Sequence, residues 1–186
     1  MIVTKLLGIH LSSSLKWDCN TRAMCKKAMS KLWLLRRLKN FKMKPELILD
    51  YYVKEIRPLL EQGVPVWNSG LTKAHIRAIE NIQKVALKII LGENYITYEV
   101  ACTLFNLLPL EYRRSDLAEN FAIKLYKSSK SLEFFEPVQK QRYTRNEPDL
   151  VKVKVTNTRR CFNAPHNYLA RLVNKNKHKI IHNNQK

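Results

Sequence analysis

The sequence predicts a mainly α-helical protein with a short β element at its amino end and an irregular, basic extension at its carboxyl end. Three observations lead to this fold class. Apolar residues recur at steps of three and four in several long stretches, whereas strict alternation is confined to short ones. Gly is scarce, with four in 186 residues, which argues against β-sandwiches and glycine-rich phosphate loops. Apolar residues make up 45% of the chain, which is enough to fill a core.

The amino-terminal part contains the β element and the first long helix. Residues 2–11 alternate loosely, which indicates a strand or half of a hairpin, with Gly8 as a bulge or a point of close approach. From residue 17 to residue 39 the period becomes helical. The apolar stripe of that helix comprises Met24, Ala28, Leu32, Leu35 and Leu38.

Two more helices follow. One begins at Pro45 and is expected to stop near Arg57-Pro58, because a residue that precedes proline avoids the helical region. Residues 63–70 form a connector with an apolar centre. The clearest helix then runs to residue 91, with Thr72 as its N-cap and Gly92 as its terminator. Its apolar face comprises Ile76, Ile79, Ile82, Ala86 and Ile90.

The carboxyl-terminal half is less regular. A short helix is predicted over residues 97–105, and a longer one from Pro109. The longer helix is expected to turn Leu110, Leu117, Phe121 and Leu125 inward. Residues 151–155 alternate, which is compatible with a β-ribbon, one last helix is expected near 168–172, and the tail from Asn174 should lack regular structure. The predicted divisions are 1–16 for the β element, 17–131 for the helical bundle and 132–186 for the basic extension.

The net charge of +19 is the strongest global signal in the sequence. Residues 1–60 carry 13 basic and 4 acidic side chains, and residues 141–186 carry 11 and 2, whereas residues 61–140 carry 10 and 9. Such an excess destabilises the compact state by self-repulsion. It therefore predicts a polyanionic partner.

Two groups of residues are the candidate binding sites for nucleic acid. On the helix at residues 72–91 the cations form one row opposite the apolar face: Lys73, Arg77, Lys84 and Lys88. On the first helix the group comprises Arg22, Lys26, Trp33, Arg36 and Arg37. A solvated charged face explains the row equally well. A partial core contact is the first interpretation of Trp33, and stacking on a base is the second. Arg114 projects toward the apolar side of its helix, where Glu111 is a candidate for a buried ion pair.

No self-contained active site is visible in the sequence. Asp occurs only at positions 18, 50, 116 and 149, without the paired carboxylates that metal-dependent phosphoryl transfer needs. The cysteines form no CxxC and the histidines no HxxxH, so we expect no metal, no disulfide, no cofactor and no small-molecule substrate. We therefore expect a protein that is not an enzyme. With no apolar run of about 18–20 residues and no signal peptide, we expect no membrane contact and a location in the cytoplasm or nucleus.

Several segments together resemble reverse transcriptases of non-LTR retrotransposons of the jockey and related groups. The resemblance covers about residues 3–174, and it depends on the order and spacing of motifs that are weak individually. The motifs are KLLGIHL (5–11), LKW (15–17), LLRRL (34–38), IRPLLE (56–61), PVW (65–67), IQKVALKIILG (82–92), LPLEYRR (108–114), TRR (158–160) and YLARLVN (168–174). Leu6 and Gln62 depart from the tyrosines that are common in the family at these positions.

The resemblance implies a part of such a polymerase. The strand with Gly8 corresponds to the primer grip at the end of the palm, and the helices correspond to the thumb, which holds the template–primer duplex, and to the region beyond. The polymerase's catalytic aspartates precede this region in the family and are absent here. The resemblance therefore implies a catalytically incomplete fragment of an RNA-directed DNA polymerase that contacts RNA or DNA.

Two alternatives remain open at this point. One is a helical protein-interaction module with a solvated basic surface, and another is an inert pseudogene product. Residues 17–67 are also similar to a short helical segment at the front of an AlkB-type tRNA-modifying dioxygenase. That activity would not follow, because its iron site needs His-x-Asp and the sequence contains none.

Overall fold

The computed structural model describes residues 3–14, 16–138 and 149–182. Within them the chain is mainly α-helical with one short antiparallel sheet at the amino end, which confirms the predicted class. The chain divides into two compact units. The first comprises residues 1–63 and 71–114, and the second comprises residues 64–70 and 115–186. These boundaries come from contacts between residues in the structure. The division into 1–16, 17–131 and 132–186 was inferred from the sequence and stays a prediction.

The β element is a hairpin. Strands β1 (Val3–Leu6) and β2 (Ile9–Ser12) pair in register, with Val3 opposite Ser12 and Leu6 opposite Ile9. The turn places Leu7 and Gly8 at φ of 47° and 85°, which glycine adopts without strain. A Cβ on Gly8 would lie 2.6 Å from Nε2 of Gln62, so the predicted close approach is confirmed.

Helix α1 (Asp18–Asn40) buries Ala28, Leu32 and Leu35, as its periodicity predicts, and half-buries Met24 and Leu38. It is followed by α2 (Pro45–Tyr51), a π-helical turn (Tyr52–Ile56) and α3 (Arg57–Glu61).

The expected stop at Arg57-Pro58 is therefore wrong. A proline within a helix lacks the amide donor, and its ring crowds the carbonyl four residues earlier. The π-helical turn that precedes Pro58 widens the backbone at that point, so the chain stays helical.

The predicted connector is helical and buried. Helix α4 (Val64–Trp67) and a 3₁₀ turn (Asn68–Gly70) occupy it, and Val64 and Trp67 are fully buried. The segment belongs to the second unit. There Ser69 Oγ donates a hydrogen bond to the carbonyl of Asn163 at 2.6 Å.

Helix α5 (Lys73–Leu91) has the predicted ends. The amide of His75 donates to Thr72 Oγ1 at 3.2 Å, and the amide of Thr72 donates to Nδ1 of His75 at 3.4 Å, so that a reciprocal cap forms. Gly92 follows the last turn at φ 59°. The predicted apolar face is buried at Ile79, Ile82, Ala86 and Ile90 and half-buried at Ile76.

The remaining helices are α6 (Tyr98–Leu104), α7 (Leu110–Lys127), α8 (Ser131–Phe134), α9 (Arg159–Phe162), α10 (Pro165–Lys175) and α11 (Lys177–His182). Thr97 caps α6 through the amide of Val100. Helix α7 buries Leu110, Ala118 and Ala122 and leaves Phe121 44% exposed. The inward orientation expected for Phe121 is therefore wrong, because the buried face is occupied there by Ala118 and Ala122, and Leu117 and Leu125 are half-buried.

Two predictions for the carboxyl-terminal extension are wrong. Within the described residues, the alternating segment 151–155 contributes one bridge, Val151 to Pro137, and no strand. Asn174 instead fixes this segment, because its Oδ1 accepts from the amides of Leu150 and Val151 at 3.0 Å each. Residues 174–182 are helical apart from one turn, because the carbonyl of Asn176 accepts from the amide of Ile180 and continues the helical pattern into α11.

A buried polar network joins α5 to its neighbours in the first unit. Gln83 is fully buried, its Oε1 accepts from the hydroxyl of Tyr52 at 2.7 Å, and its Nε2 donates to the hydroxyl of Tyr98 at 2.9 Å and to the carbonyl of Leu108 at 3.1 Å. The hydroxyl of Tyr98 donates in turn to Glu80. Three hydrogen bonds of the network therefore depend on one amide side chain.

Replacing Gln83 with Met tests this network. The change preserves side-chain length but leaves the hydroxyl of Tyr52 and the carbonyl of Leu108 without their partner, so the free energy of unfolding should fall by about 2–3 kcal/mol. Urea unfolding followed by circular dichroism measures it. The same amide-to-Met change at exposed Asn81 of the same helix is the control, and it should stay within about 0.5 kcal/mol of the parent. Equal effects of the two variants would contradict the proposed importance of the network.

Alkaline pH should destabilise the fold through the two buried tyrosines. Burial raises the pKa of Tyr52, and burial together with the hydrogen bond to Glu80 raises the pKa of Tyr98. Unfolded tyrosine ionises near pH 10, so above that value the unfolded state binds fewer protons than the folded one. Stability is then complete below about pH 10 and falls above it by up to about 1.4 kcal/mol per pH unit for each tyrosine.

Tyr52→Phe isolates one contribution. In the variant, the fall in the free energy of unfolding per pH unit that the two tyrosines cause should be about half as steep. Urea unfolding between about pH 9 and pH 11.5 measures it. A slope identical to that of the parent would show that the Tyr52 hydroxyl does not hold its proton in the folded state.

Candidate nucleic-acid interface

The predicted residues of α1 all lie on its exposed face. Arg22, Lys26, Arg36 and Arg37 are exposed, and Trp33 is 60% exposed. The partial core contact favoured for Trp33 from sequence is therefore wrong. Asp18, one turn before Arg22, is the single acidic residue among residues 18–40, and its Oδ1 lies 3.0 Å from Nε2 of His75.

The predicted row on α5 is also exposed at Lys73, Arg77, Lys84 and Lys88. Its last two members contact aromatic rings. Nζ of Lys84 lies 5.1 Å from the ring centroid of Tyr98, and Nζ of Lys88 lies 5.3 Å from that of Tyr95. These cation–π contacts restrict the two ammonium groups without neutralising them.

Helices α1 and α5 lie side by side and run in the same direction. At their amino ends, Nε2 of His75 lies 3.0 Å from Oδ1 of Asp18. At their carboxyl ends, Nζ of Lys39 donates to the carbonyl of Ile90 at 2.7 Å. Because both pairs of ends meet, the two helices are parallel over nearly the whole length of α5.

The exposed residues of both helices lie on one side of this pair. Helix α2 packs against both α1 and α5, and the π-helical turn packs against α1, so that these elements cover the other side. In projection at about 100° per residue, the exposed small side chains Ala74, Ala78 and Asn81 lie between the α5 row and α1. We call the nine predicted residues together the basic surface. It consists of two cationic rows with a strip of small side chains between them.

The basic surface has no acidic counterpart in the described part of the chain. None of its eight cations forms a salt bridge with a described carboxylate. Helix α5 contains one carboxylate, Glu80, which is committed elsewhere. Its Oε1 accepts from the amide of Leu110 at 2.9 Å and its Oε2 from the amide of Glu111 at 3.2 Å, so that it caps α7.

Sequence reasoning missed one part of the surface. The guanidinium of Arg37 lies 5.4 Å from the ring centroid of Trp33 and 5.8 Å from that of Phe41, and Phe41 is 70% exposed. The three side chains are spaced four residues apart, which places them in a row along the helix. The spacing of four could have indicated this row from the sequence. Phe41 lies beyond the predicted end of the helix at residue 39, so it was not among the predicted binding residues.

Arg114 is buried, as predicted. Burial lowers the pKa of its guanidinium, and the negative charges of Glu80 and then Glu111 oppose that change. The predicted ion pair between Arg114 and Glu111 stays a prediction.

Other classes of site receive no support from the described residues. Among residues 3–14, 16–138 and 149–182, no three His, Cys, Asp or Glu side chains cluster as metal ligands. In the same part of the chain, each helix is too short or too polar to cross a bilayer. All four cysteines are free thiols.

Comparison with known proteins gives no match: no protein-family model, no curated protein and no solved structure is significantly similar to the chain. The resemblance to retrotransposon polymerases therefore stays a prediction.

Proposed function

We propose that the chain binds RNA or DNA through the basic surface, as a thumb-like fragment of a non-LTR retrotransposon RNA-directed DNA polymerase that cannot polymerise alone. The observation that carries the proposal is the pair of parallel helices whose eight exposed cations have no carboxylate partner among the described residues. A polyanion that neutralises such a surface binds by releasing condensed counterions.

The geometry of the α5 row supports contact with a phosphate backbone. Lys73 and Lys88 are 15 positions apart, which corresponds to about 22 Å at about 1.5 Å per residue. That length is sufficient to reach several phosphates along one strand. The motif order at residues 3–174 agrees with the same proposal, since the resemblance implies contact with a template–primer. Free thiols at all four cysteines fit a reducing compartment, so we retain the cytoplasm or nucleus in the proposal.

A second candidate is a protein-interaction module, and one observation favours it. Five apolar side chains between residues 96 and 112, in and around α6 and the start of α7, are exposed: Ile96, Val100, Leu104, Leu108 and Tyr112. Such a group of exposed apolar side chains is typical of protein contacts. It lies outside the basic surface, so the salt dependence described next separates the two candidates.

Replacing Lys73, Arg77, Lys84 and Lys88 with Gln tests the proposal, because Gln preserves helix propensity and removes the charge. If all four contact phosphates, the slope of log K against log salt should become less negative by about 3 to 4. Fluorescence anisotropy of a labelled oligonucleotide at several salt concentrations measures the slope.

The matched control removes the same charge elsewhere. Replacing exposed Lys124, Lys127, Lys130 and Lys179 of the second unit with Gln lowers the net charge equally. It should change the slope by about 1 or less, the residual effect of a lower total charge. An unchanged slope in the α5 variant, with a large change in the control, would contradict binding through the basic surface.

A further inference from the structure

The aromatic–arginine row at the carboxyl end of α1 is an unusual surface feature. Trp33 and Phe41 expose 60% and 70% of their surface to solvent, and the guanidinium of Arg37 lies between them at 5.4 Å and 5.8 Å from the ring centroids. Large aromatic side chains are mostly buried in folded proteins, so the exposure of both Trp33 and Phe41 needs an explanation.

The charge around this row points to a nucleic-acid partner and away from an apolar one. Arg36 is adjacent to Arg37, and Arg22 and Lys26 continue the same exposed face of α1 toward its amino end. An uncharged lipid or an apolar peptide segment would cover the rings but would leave these cations without counter-charges. A nucleotide supplies both a flat π-face and a phosphate, so it matches the row and its flanks together.

Stacking distinguishes single strands from duplexes. In a duplex the faces of the bases are hidden within the stack, and a helix surface meets backbone and base edges. In a single strand the bases can be splayed out, so that aromatic rings and guanidinium planes stack on them. A row of exposed aromatic rings and a guanidinium can therefore stack on the bases of a single strand but not on those of a duplex.

We propose that Trp33, Arg37 and Phe41 stack on unpaired bases, so that the basic surface binds single-stranded RNA or DNA in preference to duplex. The inference rests on the proposed function and narrows its ligand, since the resemblance alone implies a duplex. Ribose and deoxyribose strands offer the same unpaired bases and phosphates, and the experiment compares both.

Tryptophan fluorescence reports this contact directly. Trp17 is 8% exposed and Trp67 is fully buried, so that Trp33 is the solvent-exposed member of the three tryptophans. Titration of the full chain with oligo(U) or oligo(dT) should quench the emission at longer wavelengths. A blunt duplex of equal length should quench it little at equal saturation, as judged by anisotropy of the labelled strand.

Variants connect quenching with affinity. Trp33→Leu and Phe41→Leu should each weaken single-strand binding by about five-fold or more, the lower end of what stacking on one base contributes. They should change duplex binding by less than about two-fold. Tyr112→Leu is the control, because Tyr112 is 66% exposed and lies in the same unit but outside the basic surface. It should leave binding to both ligands unchanged, and thermal melting should confirm that all three variants are folded.

Two results would overturn the inference, and they differ in whether the proposed function is overturned as well. The first result is equal affinity for single strand and duplex, with no loss of affinity on Trp33→Leu, while the slope of log K against log salt still depends on the α5 row. It would overturn base stacking and leave the proposed function standing. Absence of salt-dependent binding to either ligand would overturn both. A preference for oligo(U) over oligo(dT), or the reverse, with losses in the two Leu variants, supports the inference and identifies the sugar.

Discussion

The parallel pairing of α1 and α5 is the constraint on which the rest of the first unit depends. Parallel neighbours align their helix dipoles, which is unfavourable, and the chain places charges at the ends to offset it. Asp18 lies at the positive amino ends, where it contacts His75, and Lys39 lies at the negative carboxyl ends, where it donates to the carbonyl of Ile90. The same two contacts fix the register of the pair. Because the helices are parallel and α2 covers one side of them, their cations are collected on the other side.

The polar network commits the one carboxylate of α5 to contacts away from this surface. Glu80 is the only acidic residue of α5, and on an open helix it would pair with a lysine of the row. Instead it caps α7 and accepts from the hydroxyl of Tyr98, which in turn contacts Gln83. Core stability and surface charge are thus connected, since the group that stabilises the start of α7 is the one that could have neutralised the surface.

Local patterns were enough to predict the helices that carry the surface. Helix α5 is the clearest case, because its apolar period, the Thr72 cap and Gly92 all agree, and its buried and exposed faces follow from these features. The continuation through Pro58 could not be predicted in the same way, since it depends on a π-helical turn that leaves no periodic signal. The helices beyond residue 158 were underestimated because polar residues there, the buried Asn167 and the half-buried Asn174, are satisfied by hydrogen bonds to backbone.

The arrangement of the candidate site was predictable only in part. The eight cations could be assigned to exposed faces because each face follows from its own helix, whereas a partial core contact was expected for Trp33, which is exposed. That α1 and α5 would be parallel, and that their faces would share one side, depends on contacts between residues some 50 positions apart, such as Lys39 with Ile90. The Trp33–Arg37–Phe41 row crosses the end of α1 at Asn40, so a pattern that stops with the helix omits its last member.

The most direct test of the central claim is lysine footprinting. The full chain is acetylated with and without a saturating single-stranded oligonucleotide, and the modification of each lysine is measured by mass spectrometry. Binding to the basic surface predicts that Lys26, Lys73, Lys84 and Lys88 lose reactivity together, whereas exposed Lys124 and Lys130 keep theirs. Protection restricted to lysines beyond residue 123, with the four surface lysines as reactive as in the free protein, would contradict the claim that the parallel pair of helices forms the binding site.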